Sequence, residues 1–157
     1  MPAMNHIWET EAVIEHSLNM VRSMKALTGR DLLPGVSEPR EIARQLYEAP
    51  FVLVSHGTQA DPILNYGNRR ALELWEMTWE ELTQTPSRFT AEAPNREERA
   101  RLLAEVTAHG FIDNYAGVRI SKNGRRFRIH RATVWNLKDA QGVRCGQAAT
   151  FATWDFL

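Results

Sequence analysis

The sequence predicts an α+β fold, an antiparallel sheet of five strands with helices packed on it. Helical apolar spacing opens the chain, a three-strand meander closes it, and between them a strand pair is followed by short capped helices and one longer helix. The 157 residues, 43% of them apolar, suit one compact core.

Ile7, Ile14, Leu18, Val21 and Leu27 lie near one helical face, and the stretch stops at Gly29, a usual C-terminal cap. One amphipathic helix is therefore expected over 7–27. A second begins after Ser37 with Pro39 in its first turn, where a missing N–H costs nothing; it carries Ile42, Leu46 and Tyr47 and ends at Pro50. Phe51 to Ser55 has strand composition, Gly57 to Pro62 is turn-rich, and Ile63 to Tyr66 is a second short strand, giving an antiparallel ribbon. Asn68 stands where it would cap a helix before Arg69 to Trp75, and Thr78-Trp79-Glu80-Glu81 has the spacing of a capping box. A second box, Asn95-Arg96-Glu97-Glu98, opens a longer helix with Leu102, Leu103 and Val106 on one face, closed by Gly110.

The last third holds strands at Phe111 to Ser121, Arg125 to Leu137 and Val143 to Trp154, the first two joined through Asn123-Gly124, a strong hairpin signal. Phe127, Ile129, Thr133, Trp135 and Leu137 alternate along one face, while Ala132 and Val134 make the other face apolar too. A strand apolar on both faces is covered on both. Gly146, Ala148, Ala149 and Ala152 would let another layer approach closely.

Composition narrows the function. The 19 basic and 19 acidic side chains cancel, leaving none of the positive excess that nonspecific nucleic-acid binding uses. The longest apolar stretch, Phe51 to Val54, is far short of the ~20 residues of a membrane span. Met1 to His6 shows no secretory signal, so a cytoplasmic address is expected. Cys145 is the sole cysteine, which excludes an internal disulfide and a cysteine-based zinc site. No two of the five histidines stand three or four apart on one element, so no metal site is expected. No G-x-S-x-G, P-loop or G-x-G-x-x-G occurs, and Ser55-His56 with Asp61 is only adjacency in a turn. No catalytic residue is assigned, and the chain is read as a non-enzyme.

The order of elements is that of PAS domains. Ala49 to Val54, Ile63 to Tyr66, Asn68 and Thr78-Trp79-Glu80-Glu81-Leu82 resemble the opening of that fold. More closely, Tyr47-Glu48-Ala49-Pro50, Ile63 to Asn68, Pro86-Ser87-Arg88, Gly117 to Ser121 and Thr133 to Leu137 resemble the MEKHLA domain, a PAS-like family found alone in bacteria and at the C-terminus of some plant homeodomain transcription factors. The plant hexapeptide that names the family is not spelled out here, and no homeodomain or leucine zipper stands before it in this chain. The resemblance divides the chain into a helical extension, 1–48, and a PAS-like domain, 49–157. It implies short helices and a connecting helix on one sheet face, with the N-terminal helices on the other.

It also implies a sensory module that holds a small organic molecule between the sheet and the helix ending at His109. Candidate lining residues are Val52, Val54, Ile63, Ser87 and Arg88, then Leu103, Arg119, His130 and Phe151 from the later elements. Arg88 and Arg119 could grip a carboxylate or phosphate in two-pronged fashion, and Asp113 is an alternative ion-pair partner for Arg119. His130 could pair with an acidic ligand, or be a histidine bonded at an edge or surface. Ser87-Arg88-Phe89 falls where flavin-binding LOV domains have Cys-Arg-Phe, and a serine forms no thioether adduct, so LOV photochemistry is excluded. Flavin is disfavoured because Phe151 would face its polar ring edge without a hydrogen bond. Haem is disfavoured because His109, in a last helical turn, more simply complements the helix dipole.

The competing expectation is a ligand-free interaction module, a homodimer or a partner complex, that uses the outer sheet face. Trp8, Ile14 and Leu18 on the first helix and Ile129 and Trp135 on the sheet would form its interface. A small enzyme is a third reading, which would need His130 and Arg119 to converge in one cavity.

Overall fold

A computed structural model describes residues 6–157; Met1 to Asn5, where a secretory signal would begin, lie outside them. Thr10 caps the first helix, its side chain accepting from Val13 N, so that α1 spans Glu11–Thr28 after a separate 3₁₀ turn at Ile7–Glu9. Gly29 closes α1 in the left-handed conformation. α2 is Pro39–Glu48, α3 Arg69–Trp75, α4 Trp79–Leu82 and α5 Ala93–His109. The capping box at Thr78 and Glu81 is present. The box expected at Asn95 is not: Glu92 is the cap residue and α5 begins at Ala93.

The strands are β1 (Val52–His56), β2 (Leu64–Gly67), β3 (Phe111–Ile120), β4 (Arg126–Lys138), β5 (Arg144–Phe151) and β6 (Thr153–Phe156), and every pairing is antiparallel. Their order is β2-β1-β5-β4-β3, with β6 beside β4. The sixth strand is no new element in topology: β4 pairs Thr133 with Thr150 and His130 with Thr153, one register carried across a break at Ala152. Between β3 and β4 the loop is Lys122-Asn123-Gly124, with Gly124 at φ 90° and its N–H bonded to Ser121 O.

Two packed layers flank the sheet. On the outer face Met20 and Met24 of α1 and Ile42 and Leu46 of α2 meet Leu53, Tyr66, Trp135 and Leu137. On the inner face Ala71, Leu74 and Trp75 of α3 meet Val52, Phe127, Ile129 and Phe151, and Leu102 and Val106 of α5 meet Val134. The single alternating face expected along β4 is therefore split. Phe127 and Ile129 look inward and Trp135 and Leu137 outward, because Arg131 takes φ 51° and the β3 register slips beside it. One extra residue in a strand reverses the facing of all that follow. Asn114, at φ 56°, is the matching irregularity in β3 and turns Tyr115 and Arg119 inward.

Asn68 ties the two layers together. Its Oδ1 accepts from Ala71 N and Leu53 N, and its Nδ2 donates to Leu46 O and Phe51 O, so one fully buried amide joins α2, β1 and α3.

Candidate functional site

Between the inner sheet face and α5 lies a cavity of about 70 Å³. Strand alternation supplies it with Val54 and His56 from β1, Tyr115 and Arg119 from β3, and Gln147, Ala149 and Phe151 from β5. Arg99, Leu102 and Leu103 come from α5, and Trp75 from α3. Arg99 shares a helical stripe with Leu102 and Val106 at spacings of three and seven, which brings a cation onto the buried face.

The polar groups here are unusual for a core. Arg99 is 9% exposed and Arg119 6%. Arg119 donates to Val118 O at 2.8 Å and to the Tyr115 hydroxyl at 3.1 Å, and that hydroxyl donates on to Glu98 at 2.9 Å. Gly117 makes this possible, since a Cβ there would fall 2.3 Å from the Tyr115 hydroxyl. Among the described residues Arg99 has neither a side-chain hydrogen bond nor an ion pair. Burial, and secondly the Arg119 charge, lower its pKa to about 10, which leaves it a cation at neutral pH. His56 Nδ1 donates to Gly57 O at 2.9 Å, leaving Nε2 as an acceptor; burial keeps the ring below its ordinary pKa. His56 Nε2, Gln147 Oε1 and the Trp75 indole N–H are all buried without a partner. Gln147 is oriented by its Nε2, which faces Leu103 O, Thr107 Oγ1 and Asn136 Oδ1.

Of the nine residues expected around a pocket, Val54, Leu103, Arg119 and Phe151 line this one. Val52 is buried on the same face beside it. Four lie elsewhere. Ile63 bridges to Pro86, and Ser87 is buried outside the cavity with its N–H on Pro62 O. Arg88 is exposed, gripping both Asp61 oxygens at 3.1 and 3.2 Å and stacking on Phe89. His130 points out of the sheet to Asp155, 2.7 Å away, the surface reading of that residue. Asp113 pairs with Arg30 and not with Arg119.

The outer-face residues are also redistributed. Trp135 is fully buried under its own chain's α1 and donates to Met20 O, and Leu18 packs on the same cluster. Ile14 is half-buried, Trp8 is buried with the Arg40 guanidinium over its ring, and Ile129 faces the inner layer instead. Ser55 meets a histidine, but it is His16 of α1, at 2.8 Å. Ser55 gives its proton to Asn65 Oδ1, so His16 Nε2 must be the donor toward it, the reverse of what activates a nucleophile. Sequence reasoning missed Arg99, His56, Trp75, Tyr115 and Gln147. Only Arg99 carried a legible signal, a cation on the apolar stripe of its helix.

The MEKHLA domain profile matches residues 14–156. The chain belongs to the MEKHLA family. That match starts inside α1 and includes the whole sheet. The homeobox-leucine zipper protein ATHB-9 of Arabidopsis thaliana is 25% identical over 143 residues, which are 88% of this chain and 17% of that protein. The MEKHLA chain thus spans about a sixth of its plant relative. Among solved structures, a PAS domain from Colwellia psychrerythraea superposes with a TM-score of 0.62 at 13% identity, covering 75% of this chain and 95% of that one. A fungal LOV photoreceptor domain gives 0.60 at 14% identity over 96% and 94%. A dimer of the fungal photoreceptor Vivid gives 0.57 at 13% over 96% and 95%. The fold is PAS-like. No described helix is long and apolar enough to cross a membrane.

LOV neighbours raise the question of flavin, and the residues do not fit it. The cavity is a fraction of the several hundred Å³ that a tricyclic ring system with its tail occupies. Ser87 stands off the cavity, and Phe151 offers a hydrocarbon edge. Haem fits no better, since His109 is exposed at the end of α5.

Proposed function

We propose that this MEKHLA chain is a sensory module that binds a small molecule in the cavity and reports occupancy through α1. The observation that carries the reading is a buried cavity lined by two arginines and three partnerless polar groups. Burying such a group without compensation costs a core about 1–3 kcal/mol. Trp8, Tyr66 and Ser87 also bury a partnerless polar atom away from the cavity, so it is the convergence of three such groups with two arginines, neither in an ion pair among the described residues, on one space that supports binding. The cavity is smaller than the few hundred Å³ usual for organic ligands, which restricts the ligand to a handful of heavy atoms.

β1 supplies a route outward. Its inward residues Val54 and His56 line the cavity, while between them Ser55 holds His16 of α1 on the opposite face. A ligand that moves β1 changes the seat of α1, and a second copy or another protein would read that change. Vivid is described as a light-state dimer, and dimerisation here through Trp135 would require α1 to leave the sheet. Binding, and not catalysis, is the reading these groups support.

Native mass spectrometry of freshly purified full chain tests this. The expected result is an excess mass that disappears on denaturation and is absent from Ala149→Met, whose longer side chain fills the cavity. Bare protein, or an adduct retained by Ala149→Met, would remove the cavity from the account.

A further inference from the structure

The same cavity carries information about what it accepts, an inference that rests on the binding reading above. Its cations and its acceptors are distinct sets. Arg99 and Arg119 face it from α5 and β3. The nearest carboxylates are engaged elsewhere: Glu98 reaches Arg119 only through Tyr115, and Asp61 is held by Arg88. Neither arginine has a salt-bridge partner among the described residues. A planar guanidinium matches a carboxylate fork, and a buried charge left without a counter-charge is strongly unfavourable. The cavity therefore lacks a negative counter-charge to its two cations.

The acceptors pose the opposite requirement. His56 Nε2 and Gln147 Oε1 both offer lone pairs to the space, and neither has a donor. The His56 proton is fixed on Nδ1 by Gly57 O, and the Gln147 amide nitrogen is fixed by three oxygen acceptors, so neither group supplies the missing hydrogen without losing a bond. An incoming O–H or N–H supplies it. The volume has room for about five water-sized centres, which suits a molecule of about six heavy atoms.

We infer that the ligand is a small hydroxycarboxylate, its carboxylate held by Arg99 and Arg119 and its single hydroxyl hydrogen shared by the neighbouring His56 Nε2 and Gln147 Oε1 in a three-centre bond.

Thermal unfolding of the full chain tests the assignment with sodium lactate, sodium propionate and propionamide, each against sodium chloride at equal ionic strength. Lactate is expected to raise Tm saturably, propionate to do so less at equal concentration, and propionamide to leave it unmoved. Arg99→Met should abolish the lactate shift while raising the Tm of the free protein, because an unpaired buried charge has gone; a merely structural arginine would lower it. Arg119→Lys keeps the charge and loses the fork, and should weaken the lactate response roughly tenfold. It also serves if Arg99→Met fails to fold. Equal shifts with lactate and propionamide, no shift with either acid, or a lactate shift surviving in both variants would overturn the assignment. Should the acids fail while wild-type protein still carries a mass that Ala149→Met lacks, the acid class falls and the cavity remains a binding site. If that mass is missing as well, both fall.

Discussion

His16 shows how one side chain can make this fold depend on pH. It is half-buried where α1 meets the sheet, against Tyr66 and Ser55, and desolvation there lowers its pKa to about 4 from 6.5. Between those values the unfolded chain binds a proton that the folded chain refuses, so stability is full above pH 6.5 and falls as pH drops toward 4. The loss is about 3 kcal/mol, at roughly 1.4 kcal/mol per pH unit. Urea midpoints at pH 7.5 and 5 should therefore diverge in wild type and diverge less in His16→Gln, where the buried His56 still contributes in the same direction; an equal pH dependence in both would assign it to other groups. At this scale the sequence was partly legible. Asn68 and the Thr78-Glu81 box were readable because a cap needs only local geometry. The His16–Ser55 bond joins residues 39 apart, and no local pattern announces it.

Elements were legible wherever periodicity ran unbroken. α1, α2, the β1–β2 ribbon and the three-strand meander all stand near their expected places. The facing of β4 was not legible, because a single residue at φ 51° reverses it and Arg131 is an ordinary residue to read. That reversal moved Ile129 off the outer face and left Trp135 on it, beneath α1. The start of α5 was missed because Asn95 has the composition of a cap, but Pro94 directly before it already suits the first positions of a helix. Trp135→Asp follows as a test of the layer. A carboxylate placed where an indole is fully buried should cost about 5 kcal/mol or more and unfold the chain, seen as lost circular dichroism. A folded variant that merely changed oligomeric state would show instead that Trp135 serves an interface between chains.

For the whole molecule, the informative feature is that one sheet has a partly polar cavity on one side and the joint α1–α2 layer on the other. The family match covers both, from residue 14 to residue 156. We propose that α1 and α2 are a layer of the same domain and not an appendage to residues 49–157. A PAS-like fold was visible in the order of elements; the cavity's polar lining was not, because His56, Tyr115, Arg99 and Gln147 converge from four elements whose relative placement only the folded sheet defines. Coupling between the two faces is what would make this a sensor and not simply a binder. Hydrogen–deuterium exchange of Ala149→Met against wild type measures that coupling without needing a ligand. Filling the cavity should change the exchange of α1 amides near Met20 and Met24, on the far side of the sheet, along with those of β1 and α5. Change confined to β1, β5 and α5, with α1 exchanging as in wild type, would contradict the account.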